Sequence, residues 1–119
     1  MDGFEFEHFL AAHFRTLGYK VTETQQSGDF GVDLILKKSG ETIAVQAKKK
    51  QGGTIGIAAV QEVVGGIAYY NADRAMVVTN QRFTTAAKEL AAVNGVELWD
   101  RNVIQQKFPK LRDVEKLKK

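Results

Sequence analysis

The segment G28-D-F-G-V-D-L-I-L-K-K-S-G-E-T-I-A-V-Q-A-K-K-K50 decides how the chain folds. Its two apolar runs, Val32–Lys37 and Thr42–Lys48, alternate at the period of a strand, and Ser39-Gly40 between them has hairpin-turn chemistry. The spacing therefore predicts an antiparallel hairpin. Side chains alternate across a strand, so Val32, Leu34 and Leu36 are expected to share a face with one another, as are Ile43, Val45 and Ala47. If both triplets face one core, Asp33, Gln46 and Lys48 emerge together on the opposite face. A helix must cover that face too, and Glu7 of the first helix is the neighbour the sequence offers.

Outward from the hairpin, Asp2 can cap a helix running to about Leu17, with Gly18 as its C′ residue. Phe6, Phe9, Leu10, Phe14 and Leu17 give that helix an apolar stripe. Tyr19–Thr24 reads as a short strand and residues 25–31 as a polar loop. Downstream, the pattern predicts a helix over Ile57–Tyr70, a strand over Arg74–Thr79, a helix from a Thr84 cap to Asn94, a strand over Val96–Trp99 and a helix over Asn102–Phe108. Helices between successive strands imply right-handed crossovers, hence a mixed sheet covered on both faces. The expected organisation is one α/β domain over residues 1–108 and a basic tail over 109–119.

Composition limits the function classes. With 119 residues, 44% hydrophobic and 26% charged, the chain can bury a core without staples. There is no cysteine, so disulfides and thiolate metal sites are excluded. No apolar stretch approaches the ~20 residues of a membrane span, and no secretory signal opens the chain, so an intracellular, cytoplasmic protein is expected. Net charge is +3, with a pI near 9.2. Its cations cluster at Lys37 and Lys38, at Lys48, Lys49 and Lys50, and at the C-terminus, the footprint of a phosphate-backbone partner. For the tail, a solubilising surface is an equal reading.

The Asp33, Gln46 and Lys48 grouping has a chemical use. Mg²⁺ takes oxygen ligands, and Asp33 offers a carboxylate, Gln46 an amide oxygen and Ala47 a backbone carbonyl; Mn²⁺ suits the same set. Lys48 could then stabilise an attacking hydroxide, or charge developing on phosphorus, during hydrolysis by metal-activated water. By spacing alone the pattern stays open: D-x₁₂-Q-x-K also arises by chance, and Lys48 can be simply the first of three lysines leaving a strand. Lys49 and Lys50 read as phosphate contacts and Asp29 as a loop residue. Gln61 reads as a solvated helix position, and His8 and His13 as structural or surface residues. Tyr69, Tyr70 and Trp99 read as residues of core packing or of a dimer interface.

The blocks "FEHFLAAHFRTLGYKVTETQQSGDFGVDLIL", "AVQAKKK", "AAVQEVVGG", "MVVTNQRFTTAAKELA" and "VELWDR", in this order, resemble the Mrr-type restriction endonuclease domain of the PD-(D/E)XK nuclease superfamily. The resemblance spans about Phe6 to Val103. It implies an αβββαβ core with a central mixed sheet, and Mg²⁺-dependent cleavage of DNA. Asp33 is then a metal ligand, Gln46 takes the place of the superfamily's second acid, Lys48 is the catalytic lysine, and Glu7 completes the site. Val32 stands where proline is common, and the neutral Gln46 removes one negative charge from the site. Cutting both strands implies a symmetric homodimer or nicking in two events. A Holliday junction resolvase of the same fold and a non-catalytic DNA-binding module are the alternatives.

Overall fold

A computed structural model describes residues 1–24 and 31–108. In chain order it contains α1 (Gly3–Thr16), β1 (Lys20–Glu23), β2 (Leu34–Lys38), β3 (Glu41–Lys48), β4 (Thr54–Ile55), α2 (Ile57–Tyr69), β5 (Arg74–Thr79), β6 (Arg82–Phe83), α3 (Thr85–Asn94), β7 (Val96–Trp99) and α4 (Arg101–Lys107). The main sheet has the order β1-β2-β3-β5-β7. The β1/β2 and β2/β3 pairs are antiparallel, and β3/β5 and β5/β7 are parallel. This is the expected α/β fold with its αβββαβ core. No helix among the described residues is long and apolar enough to cross a membrane.

Local signals explain the boundaries. Asp2 and Glu5 form a reciprocal capping box at the start of α1, with bonds of 2.8 and 3.0 Å. Thr84 caps α3 through the Ala87 N–H, and Gly95 ends that helix in the left-handed conformation. α4 starts one residue earlier than its expected Asn102, because Asp100 accepts from the Val103 N–H as N-cap. β4 and β6 were not expected. They pair in parallel, Thr54 with Arg82 and Ile55 with Phe83, and join the segments leaving β3 and β5.

Two cores flank the sheet. On one face, Phe6, Leu10 and Phe14 of α1 and Ile104 of α4 pack on Leu34, Leu36, Ile43, Val45, Met76 and Val78. Trp99 and Phe108 join this layer, whose rings meet at centroid distances of 5.2–5.8 Å around Phe14. On the other face, small residues dominate: Ala59, Val60 and Val63 of α2 and Ala87 and Ala91 of α3 lie on Ile35, Ala44, Ala75 and Val77. Short side chains let these helices sit close to the strands. One expectation is corrected here. Val32 belongs to the second core, not with Leu34 and Leu36, because regular alternation begins only at Leu34, after Gly31 at a φ of +72°.

At the far end of the sheet, Arg74 is held by Glu41 at 2.9 Å and Glu97 at 2.7 Å. The Glu41 hydrogen bond, more than that from Glu97, keeps the guanidinium charged beyond its usual range, against partial desolvation.

Candidate active site

The site lies where β3 and β5 end, at the carboxyl edge of the parallel strands, the usual position for a ligand in an open α/β sheet. Asp33 lies immediately before β2, one residue beyond the Leu34–Val45 pair that ends the β2/β3 register. The Asp33 N–H donates to the Val45 carbonyl at 2.7 Å, and its Oδ2 accepts from the Ala47 N–H at 2.8 Å. The carboxylate is thus fixed by the backbone of the neighbouring strand. Gln46 points toward α2, on the same face as Ala44 and Lys48, and is only 3% exposed.

Gln46 and Lys48 converge on Glu62, an α2 residue that the sequence reading passed over. Gln46 Nε2 donates to Glu62 Oε2 at 2.6 Å, and Lys48 Nζ lies 3.4 Å from the same oxygen. Its signal was present: Glu62 follows the buried Ala59 by three residues and precedes the buried Gly66 by four, which places it at the edge of the stripe. Gly31 sets the height of this contact. A Cβ there would lie 2.7 Å from Glu62 Cβ and 2.8 Å from its carbonyl oxygen, so only glycine admits this approach of the segment before β2 to α2.

α1, the helix expected over the Gln46 face, packs instead on the Leu34/Leu36/Ile43/Val45 face, and its Glu7 is half-buried. The helix covering the Gln46 face is α2. Among the described residues, no three His, Asp or Glu side chains form a group that could hold a metal ion. The Gln46 Oε1, buried, has no hydrogen-bond partner among them either. A divalent cation beside Asp33 would satisfy that oxygen, so the donor set fits such an ion.

A groove of about 300 Å³ runs from Lys48, Lys49 and Lys50 past Glu62 to Gly56 and Ala58 at the start of α2. The N-cap Gly56 makes no side-chain capping bond, and the first turn of α2 carries no acid. The groove wall is held by a buried polar clamp. Asn80 accepts from the Lys50 N–H at 2.9 Å, and both Asn80 and Gln81 donate to the Lys50 carbonyl at 2.8 Å. Arg101 donates to the Asn80 carbonyl and the Gln81 side chain. Sequence gave no warning of this clamp beyond two amides directly after an apolar strand. The Lys50 ammonium itself bonds the Thr54 carbonyl at 3.1 Å.

Other residues stand apart. Lys37 and Lys38 lie at the hairpin turn, where Lys38 donates to the Leu17 carbonyl. Thr42, opposite Lys37, is six residue steps from Lys48, so at ~3.3 Å per step they are roughly 20 Å from the groove. His8 meets Glu23 at 2.7 Å, and His13 bonds the Phe9 carbonyl between two phenyl rings. Trp99 is a core residue, its indole N–H donating to Glu97. Tyr69 and Tyr70 pack edge to face at 4.8 Å. Asp29 and the tail lysines lie outside the described residues.

This mixed sheet thus carries a carboxylate, an amide and a lysine at one strand end, beside a basic groove. The Mrr catalytic-domain family, described as restriction endonuclease, matches residues 1–108, and the chain belongs to it. Three solved structures share the fold. A protein of unknown function, AF1548, superposes with a TM-score of 0.71 at 15% identity, covering 89% of this chain and 69% of its own. The DNA modification-dependent restriction endonuclease AspBHI gives 0.69 at 19% identity, covering 98% of this chain and 34% of its own. A repair endonuclease from Pyrococcus abyssi gives 0.63 at 18%, covering 84% and 46%. This chain therefore spans less than half of either named endonuclease. No curated protein sequence matches it.

Proposed function

We propose that this chain is the catalytic domain of a divalent-metal-dependent DNA endonuclease, with Asp33, Gln46 and Lys48 at the reacting centre. The observation that carries the reading is the strand end itself: the Asp33 carboxylate accepts from the Ala47 N–H, next to Gln46, whose buried amide oxygen has no hydrogen-bond partner among the described residues, with Lys48 two positions on. Asp33, Gln46 Oε1 and the Ala47 carbonyl would hold Mg²⁺, or Mn²⁺ in its place, with Glu7 acting through water. When bound, the ion supplies Lewis acidity at the transferring phosphoryl group.

The chain's own residues do the rest. The Ala47 N–H anchors one oxygen of the Asp33 carboxylate. The Lys48 ammonium has three donors and no acceptor, so it can donate to a phosphoryl oxygen as charge develops. Lys49, Lys50 and the uncapped start of α2 give the groove a positive potential suited to a phosphate backbone. The fold shared with AspBHI, a DNA modification-dependent restriction endonuclease, favours DNA as the polymer. One site cuts one strand, so double-strand cleavage calls for a homodimer with two-fold symmetry.

The test is cleavage of labelled linear duplex, single strand and four-way junction with Mg²⁺, with Asp33→Ala protein alongside. Duplex cutting that depends on Asp33 is the expected result. Paired, Asp33-dependent cuts beside the junction alone would instead select a junction-resolving enzyme. Absence of Asp33-dependent cutting with either Mg²⁺ or Mn²⁺ would overturn the catalytic reading.

A further inference from the structure

A carboxylate can only accept hydrogen bonds, whereas a primary amide has a donor end and an acceptor end. Glu62 Oε2 sits 2.6 Å from one end of the Gln46 amide, so that end must be the NH₂ group. The other end, Oε1, is then fixed as an acceptor, and it is the buried oxygen with no partner among the described residues. Rotating the amide by half a turn would set oxygen against oxygen at that distance. Glu62 thus selects one of two otherwise similar orientations of Gln46.

Glu62 is itself held in place. Gly31 abuts its Cβ and carbonyl, and Lys48 Nζ shares its Oε2. That oxygen takes both donors, which ties Glu62 to Gln46 and Lys48 together. Gln46 brings no charge, and the carboxylate on α2 restores one negative charge within hydrogen-bonding distance of it.

We propose that Glu62 is a positioning residue which turns the Gln46 oxygen, not its nitrogen, toward a divalent cation and holds the Lys48 ammonium beside it. This rests on the metal-dependent reading of the site. It also predicts that the pair is exchangeable: carboxylate and amide can trade places and keep both the hydrogen bond and the total charge.

Mn²⁺ binding by electron paramagnetic resonance, with thermal melting in parallel, tests this on the full chain as wild type, D33A, E62Q, Q46E and the double variant Q46E/E62Q. Replacing an outer residue of this kind should weaken Mn²⁺ binding about tenfold or more in E62Q while leaving Tm nearly unchanged. Q46E alone places two carboxylates in contact and should melt earlier. The double variant should regain both the wild-type Tm and most of the Mn²⁺ affinity. If E62Q binds Mn²⁺ as wild type does while D33A does not, the role of Glu62 is overturned and the site reading stands. If D33A also binds normally, the site reading falls as well. A double variant no better than E62Q would likewise overturn the orienting role, and should E62Q fail to fold, the double variant alone decides.

Discussion

Gly31 shows how much of the site depends on a residue with no side chain. Its φ of +72° and the 2.7–2.9 Å that a Cβ would have to Glu62 act together, so relief of one does not relieve the other. Gly31→Ala should cost about 2 kcal/mol or more, read by denaturant unfolding, and should reduce cleavage beyond what the lost stability explains. Lys48 is the opposite case. Its pairing with Glu62 is 38% exposed on the lysine side, and such pairs contribute ~0–1 kcal/mol. Lys48→Ala should therefore leave Tm almost unmoved while cleavage falls by about 10²-fold or more; unchanged cleavage would remove Lys48 from the chemistry.

At the scale of elements, the exit of β3 is tied to the exit of β5. Asn80→Ala would strip the Lys50 N–H of its side-chain acceptor and the Lys50 carbonyl of one of its donors inside a buried network, at about 1–3 kcal/mol. The melting temperature should fall by several degrees, and the loss should be accompanied by faster hydrogen exchange at the Lys50 amide. Most elements could be read from the chain because periodicity and caps are local: the Asp2 cap of α1, the Ser39-Gly40 turn and the Thr84 cap all stand where expected. The two-residue strands β4 and β6 could not be, since two residues carry no period. Alternation also placed Gln46 and Lys48 on one face. It could not say which helix covers that face, because the choice is made by the β3–α2–β5 crossover, so α1 was the helix expected there and α2 the one found.

Across the whole molecule, charge is sorted by the direction of the strands. β2 carries Lys37 and Lys38 away from the groove, whereas β3 brings Lys48, Lys49 and Lys50 to it. The clusters are neighbours in sequence, yet the hairpin separates them by most of its length. If the groove is where DNA lies, Lys49→Ala should lower the slope of log binding constant against log salt by about one, and Lys37→Ala should leave it unchanged. Equal effects from both variants, measured by fluorescence anisotropy, would place the DNA elsewhere. The two cores should also differ in tolerance. Phe14→Ala, in the aromatic layer, is expected to cost about 3–5 kcal/mol by opening a cavity. Enlarging Ala44 to leucine would instead push α2 off the sheet, and with it Glu62.

The Ser39-Gly40 turn has positive φ at both central residues, 53° and 80°, and is exposed at the end of the hairpin remote from the groove. That is the geometry of a two-residue primed turn. It makes this the natural seam of the domain: a site where the backbone could be cut and the termini moved, or a second module spliced in, without disturbing the groove. A circular permutant opened between Ser39 and Gly40 would be expected to keep its fold, and a recognition module grafted there would project some 20 Å from the reacting centre, reaching DNA on its own terms.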